Sequence, residues 1–238
     1  MKLILEHIAR KTHEYEKHPL YVYLGDESQP AAKRLEFVPS LAHFVMSFAD
    51  LYALVLRQEP AQDRYQEIVN AHTYEDGGHW KWFLADLKTL GQDSTVRLTD
   101  SLRFIWSERT APIRMLTYHM CRLGLGASSL EKLVLVHCIE AGGKVALGST
   151  APAAVIVARQ LGKDLIYFGT HHINTEMQHT LEEQAVHDSL EAIVVDAALR
   201  PKLLQIVDSA FSAFDEFARG VQDYAAHPEP LAATRAAI

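Results

Sequence analysis

The 238 residues carry 23 Lys and Arg against 30 Asp and Glu, a formal charge of -7. The basic residues are scattered rather than clustered, which argues against a nucleic-acid partner. Two cysteines, Cys121 and Cys138, are too few for a disulfide framework or a thiolate metal site and read as core residues in apolar helical contexts.

In chain order, the opening MKLILEHIARK breaks its apolar run with charge too soon for a signal-peptide core. No run approaches membrane-spanning length, so a cytoplasmic protein without a membrane partner is expected. Apolar residues recur at helical spacing almost everywhere, and few segments alternate as strands do. The first helix is predicted over 2–17, before His18-Pro19. A second covers 39–57, with Phe44, Phe48, Leu51 and Val55 on its inner face. A third runs from about Pro60 to Leu90 and has Gly91 as its stop. Gly77-Gly78 falls inside it, at a cost of roughly 2 kcal/mol relative to alanine, which a close backbone approach or a ligand beside it would have to offset. Helices follow over 94–107, 111–123 and 128–147, a segment at 151–161, then helices over 165–185, 188–196 and 199–226. This describes an all-α single domain over 1–227, a helical bundle of about seven to nine helices, and a Pro- and Ala-rich tail over 228–238 that frays.

The most specific feature is a spacing that occurs twice. His72, Asp76 and His79 lie in HTYEDGGH, and His172, Glu176 and His179 lie in HINTEMQH, 100 positions further on. At about 100° per residue, positions i, i+4 and i+7 fall within an arc of roughly 60°, so each triplet puts two imidazoles and a carboxylate on one helix face. With 13 His in the chain one such triplet could arise by chance, but two matching copies in two halves point to metal binding. Each copy holds an acid-x-x-His step, which dinuclear carboxylate proteins use twice, supplemented by lone carboxylates from other helices. Glu140, on the helix before the second triplet, is the expected bridging carboxylate, and Asp50, on the helix before the first, is a weaker counterpart. Glu75 competes with Asp76. The spacing does not choose between them; glutamate reaches further, which favours Glu75 slightly and leaves Asp76 to orient a ligand histidine, with Asp76 and His72 as the other possible ligands. His137 and Lys144 share a face with Glu140, as a solvated stripe or as a pocket edge for an anionic substrate. Trp80, Trp82 and Phe83 read as core aromatics that keep the site dry. Nitrogen and oxygen donors without thiolates suit iron, manganese or zinc, and bridging carboxylates favour a pair of iron or manganese ions.

With these residues in view, the chain resembles the haem-oxygenase-like fold and, within it, the non-haem di-iron oxidase and oxygenase branch. His172, Glu176 and His179 are similar to that branch's third metal-binding helix, and Glu140 to the single carboxylate on the preceding core helix. Glu75 and His79 are similar to the acid and His of its first metal-binding helix, although there the acid stands seven positions before the His, where this chain has His72. The segments from His18 to Leu56 and from Phe214 to Ala225 resemble the opening and last helix of TenA-type thiamin-degrading enzymes, which share the fold. The resemblance implies two iron ions, or manganese, held by Glu75, His79, Glu140, His172, Glu176 and His179. It also implies O2-dependent oxidation of a small organic substrate such as an amino acid or fatty acid derivative, with homodimerisation left open. Two other readings follow from the same fold. One is a metal-free TenA-like hydrolase with Cys138 as nucleophile and Asp50 and Glu216 as acids. The other is a haem protein with His13 or His18 as proximal ligand and Gly142-Gly143 admitting the macrocycle. A structural helical protein with chance His clusters is the bland alternative.

Overall fold

The helical apolar period is realised almost throughout: the computed structural model describes residues 1–177 and 190–228, and it contains helices and no strand among them. The chain folds as α1 (Lys2–Tyr15), α2 (Pro19–Gly25), the single turn α3 (Ala31–Arg34) and a 3-10 turn Val38–Leu41 that runs into α4 (Ala42–Asp50) and then a π-helical segment Leu51–Leu56. There follow α5 (Arg64–Asp76), α6 (Trp80–Thr89), α7 (Leu98–Ile105), α8 (Ala111–Gly124), α9 (Ser129–Leu161), α10 (Thr170–Glu176) and α11 (Arg200–Ala226).

α9 is the axis of the bundle. Its start is fixed by a reciprocal cap, in which the Ser128 hydroxyl accepts from the Glu131 N–H and the Glu131 carboxylate accepts from the Ser128 N–H. Its end is fixed by Gly162, whose φ of 64° closes the last turn. The break expected between 147 and 151 is absent. Pro152 lies within the helix, and Gly148, whose carbonyl loses its helical partner there, is an exposed residue. Leu133, Val134, Leu135 and Val136 are all buried, which happens only when a helix is surrounded. α1, α2, α3, α5, α8, α10 and α11 all pack against α9. By length and composition both Ala31–Leu56 and α9 are apolar enough to cross a membrane, so the expectation that no run approaches that length is corrected. In this structure α9 is the core helix and buries Glu131, Lys132 and Glu140 among its neighbours.

Two further corrections bear on the site. The helix expected over 60–90 is broken: α5 stops at Asp76, Gly77 to His79 form a turn, and α6 begins at Trp80. The helix expected over 39–57 switches at Leu51 from α to π winding, which rotates its last turn relative to a regular helix. The helix expected from 165 begins only at Thr170, since 165–169 are an irregular loop; Thr170–Glu176 is helical, and 178–189 lie outside the described residues. Residues 193–196 are not helical, contrary to the helix expected over 188–196. The C-terminal tail from 229 is likewise outside them.

Candidate metal centre

Three helical segments and one turn converge on the centre of the bundle. α5 contributes His72 and Asp76, the turn after it His79, α9 Glu140, and α10 His172 and Glu176. α5 is held in register by its Asp63 cap and by Asn70, whose side-chain oxygen accepts from the Gln58 N–H while its amide donates to the Gln58 carbonyl. Because α5 gives way to a turn at Gly77-Gly78, the two glycines are not inside a helix; the turn takes His79 off the straight continuation of α5, and its ring lies flat against Trp82, with centroids 4.1 Å apart and planes 18° apart.

The donors form two groups of three. In one, the His172 Nε2 lies 2.8 Å from the Glu176 Oε1 and 3.1 Å from the His79 Nδ1, and the His79 Nδ1 lies 3.2 Å from the Glu176 Oε1. Adjacent ligands on an octahedral ion with bonds of about 2.1 Å are separated by about 3.0 Å, so these three atoms already have the spacing of one face of a coordination shell. His172 is oriented from behind, as its Nδ1 donates to the Tyr167 carbonyl at 2.9 Å, which leaves the Nε2 directed at the centre.

In the other group, the His72 Nε2 is 3.2 Å from the Asp76 Oδ2, 3.2 Å from the Glu140 Oε1 and 3.2 Å from the Tyr52 hydroxyl. A single N–H points in one direction and cannot satisfy three acceptors together. A divalent ion seated between the imidazole and the carboxylates uses all of them, so the donor set fits a metal better than it fits a proton. The Tyr52 hydroxyl donates to the Asp76 Oδ2 at 2.8 Å. The groups are joined through Asp76, whose other oxygen, Oδ1, lies 3.7 Å from the His79 Nδ1.

The electrostatics are those of a site built for more positive charge than its own side chains supply. Burial disfavours the His72 imidazolium, but hydrogen bonds and charge from Asp76 and Glu140 outweigh it and hold its pKa well above the ordinary value. Burial raises the Glu140 pKa, and the nearby Asp76 and Glu176 charges add to this, although His72 opposes it. Burial likewise raises the Tyr52 phenol well above its usual range, reinforced by Asp76 and Glu140. Glu140, buried beside the Asp76 and Glu176 charges, therefore holds its proton more readily than a free carboxyl, and a bound cation would favour its release.

Both groups open on one cavity of about 160 Å³, into which Asp76, His79, Glu140, His172 and Glu176 all face. Its remaining wall is mostly apolar, formed by side chains such as Phe44, Phe48, Leu116, Met120 and Phe217. Lys144, otherwise exposed, stands at its edge. Gly142 lies on the α9 face towards α11, where a Cβ would stand 3.0 Å from the Phe214 ring.

Set against the residues singled out in the sequence, His79, Glu140, His172 and Glu176 come together. His72 and Asp76, held as additional candidates, complete the groups, and Glu75 is in neither of them. Asp76 reaches both groups, with one oxygen near His72 and the other near His79, and Glu140 lies close enough to Glu176 for their charges to interact. His179 lies outside the described residues. His137 is partly buried on α9 and does not line the cavity, whereas Lys144 does. Tyr52 and Tyr167 were not foreseen: nothing in the local spacing marks a tyrosine in a π-wound turn or a backbone carbonyl five residues before a ligand. The residues of the hydrolase reading do not assemble. Cys138 is fully buried off the cavity with its thiol pushed up by burial, and Asp50 and Glu216 are exposed and do not line the cavity. For the haem reading, His13 is exposed beside Glu16, and the His18 Nδ1 is engaged by the Leu20 N–H at the start of α2.

The chain matches no family model, and no curated protein matches it. The fold and the donor groups therefore define its class: an all-helical bundle with side chains able to bind metal at a buried, apolar cavity.

Proposed function

We propose that this chain is a non-haem dinuclear iron oxidase or oxygenase, with manganese as the alternative metal, acting on a small, largely apolar organic substrate. The observation that carries the reading is the pair of three-donor groups, His72/Asp76/Glu140 and His79/His172/Glu176, adjoining through Asp76 and facing one cavity. Two imidazoles and one carboxylate on a single face of a coordination shell, with the other positions open, are the arrangement that suits ferrous iron and O2. When bound, the metal pair supplies the electrons for O2 reduction. The protein's own residues hold and orient that chemistry. The Tyr167 carbonyl fixes the His172 tautomer, the Tyr52 hydroxyl holds the Asp76 Oδ2, and Phe44, Phe48 and Phe217 keep bulk water from the reacting groups. Lys144 at the cavity edge favours a substrate with an anionic end, in keeping with an amino acid or fatty acid derivative. The resemblance to the di-iron branch of the haem-oxygenase-like fold supports the same reading.

The test is anaerobic titration of metal-free protein with Fe(II), using protein purified without a histidine tag. About two ions per chain, followed by O2 uptake on mixing with air-saturated buffer, is the expected outcome. No binding at millimolar Fe(II) or Mn(II) removes the proposal.

A further inference from the structure

Among the described residues, the metal-capable groups account for every buried acid near the cavity but one. Asp86 lies two turns along α6 from His79, on the same helix face, and is fully buried. Among the described residues no ion pair reaches it. Instead its carboxylate is wrapped by the backbone of the loop before α10: Oδ1 accepts from the Ile166 N–H at 2.7 Å, and Oδ2 from the Tyr167 and Phe168 N–H groups at 2.9 and 3.0 Å. Three successive N–H groups turned towards one point form a cradle for an anion, and here the anion is a side chain from 80 residues earlier in the chain. The middle residue of that cradle is Tyr167, whose carbonyl accepts the His172 Nδ1–H. A carbonyl can only accept, so this bond places the ring proton on Nδ1 and directs Nε2 to Glu176 and His79.

We propose that Asp86 is a positioning residue for the His79/His172/Glu176 group: its carboxylate sets the 166–168 loop, and through the Tyr167 carbonyl it fixes the tautomer and direction of His172. α6 thus controls both sides of the contact, since His79 precedes its first turn and Asp86 brings the opposing histidine to meet it. The consequence for metal affinity rests on the metal-centre reading. The consequence for the His172 tautomer does not.

Asp86→Asn is the discriminating substitution, because it keeps the shape and volume but replaces one acceptor oxygen with a donor that faces a backbone N–H. Asp100→Asn is the control: Asp100 is an equally buried acid, on α7 between Arg97 and Arg103 and away from the cavity. Nitrogen-15 correlation spectra of metal-free wild-type protein should show His172 with a proton on Nδ1 that exchanges slowly. Asp86→Asn should lose that signature while Asp100→Asn keeps it. Titration with Fe(II) should then show one of the two sites weakened about 10–100-fold in Asp86→Asn and neither weakened in the control. If Asp86→Asn does not fold, the wild-type spectrum still decides, because a His172 with no proton on Nδ1 overturns the proposal. So does an Asp86→Asn protein that folds and retains the slowly exchanging proton. Wild-type protein that binds no metal while the tautomer results come out as expected overturns the metal-centre reading alone.

Discussion

The His79 Nδ1 and the His172 Nε2 lie 3.1 Å apart although 93 residues separate them, and the Glu176 Oε1 lies within 3.2 Å of both. Two imidazoles meeting nitrogen to nitrogen gain at most one hydrogen bond from the contact, whereas an ion between them and the carboxylate gains three ligands. Glu176→Ala should therefore cost one of two bound ions and leave the His72/Asp76/Glu140 group able to hold the other. Metal analysis after desalting should fall from about two ions per chain to about one, and O2 uptake by the reduced variant should be at least about tenfold slower. A Glu176→Ala protein that keeps full stoichiometry would show that the group does not bind metal.

The two His-x3-acid steps were legible because a helix converts sequence distance directly into angle, so His72 with Asp76 and His172 with Glu176 share a face wherever the helices pack. What the spacing could not show was the bend between Asp76 and His79. On one straight helix Glu75 and Asp76 are alternative partners of His79, but the Gly77-Gly78 turn places Asp76 between the two groups and leaves Glu75 in neither. Tyr52 and Asp86 were illegible for a different reason. Tyr52 reaches Asp76 from a π-wound segment, and Asp86 acts on backbone N–H groups 80 residues away, so neither leaves a local pattern.

Gly169 caps α10 with its backbone extended at φ -90° and ψ -174°, and a Cβ there would overlap the Leu165 carbonyl oxygen. A backbone atom cannot rotate aside as a flexible side chain does, so Gly169→Ala must displace the loop that carries Tyr167. We expect a loss of about 2 kcal/mol in denaturant unfolding and weaker metal binding at the His172 group. Unchanged stability and unchanged affinity together would show that the loop accommodates the methyl group freely.

The pH dependence of the metal-free protein follows from two groups with raised folded pKa values. His72, raised well above 6.5, contributes stability that is fully present below the unfolded value and is lost as pH rises through the folded one. Glu140, raised from 4.5, stays protonated in the folded state where the unfolded chain has already ionised, so it too makes the fold less stable as pH rises. Metal-free protein should therefore melt at a lower temperature at about pH 8 than at about pH 6. Metal takes the place of these protons, so the stabilisation on adding Fe(II) or Mn(II) should be larger at the higher pH. Thermal melts at the two pH values, with and without metal under anaerobic conditions, test both signs. A metal-free protein that is more stable at the higher pH contradicts the charge balance described for the site.

Asp76 and Glu75 give the sharpest local test, since they are adjacent in sequence and differ in placement. Asp76 has one oxygen 3.2 Å from the His72 Nε2 and the other 3.7 Å from the His79 Nδ1, and its side chain is buried. Asp76→Asn keeps the volume, removes a negative charge shared by both groups, and turns one of those oxygens into a donor, so both ions should bind more weakly. Glu75→Gln changes a residue outside both groups, so each affinity should stay within about threefold of the parent, as for a substitution away from the ligands. Anaerobic Fe(II) titration followed by calorimetry separates the two sites in each variant. Weakening of both sites by Asp76→Asn and of neither by Glu75→Gln is the expected result. The reverse pattern would place Glu75 at the metals and require the turn at Gly77-Gly78 to wind differently once they bind.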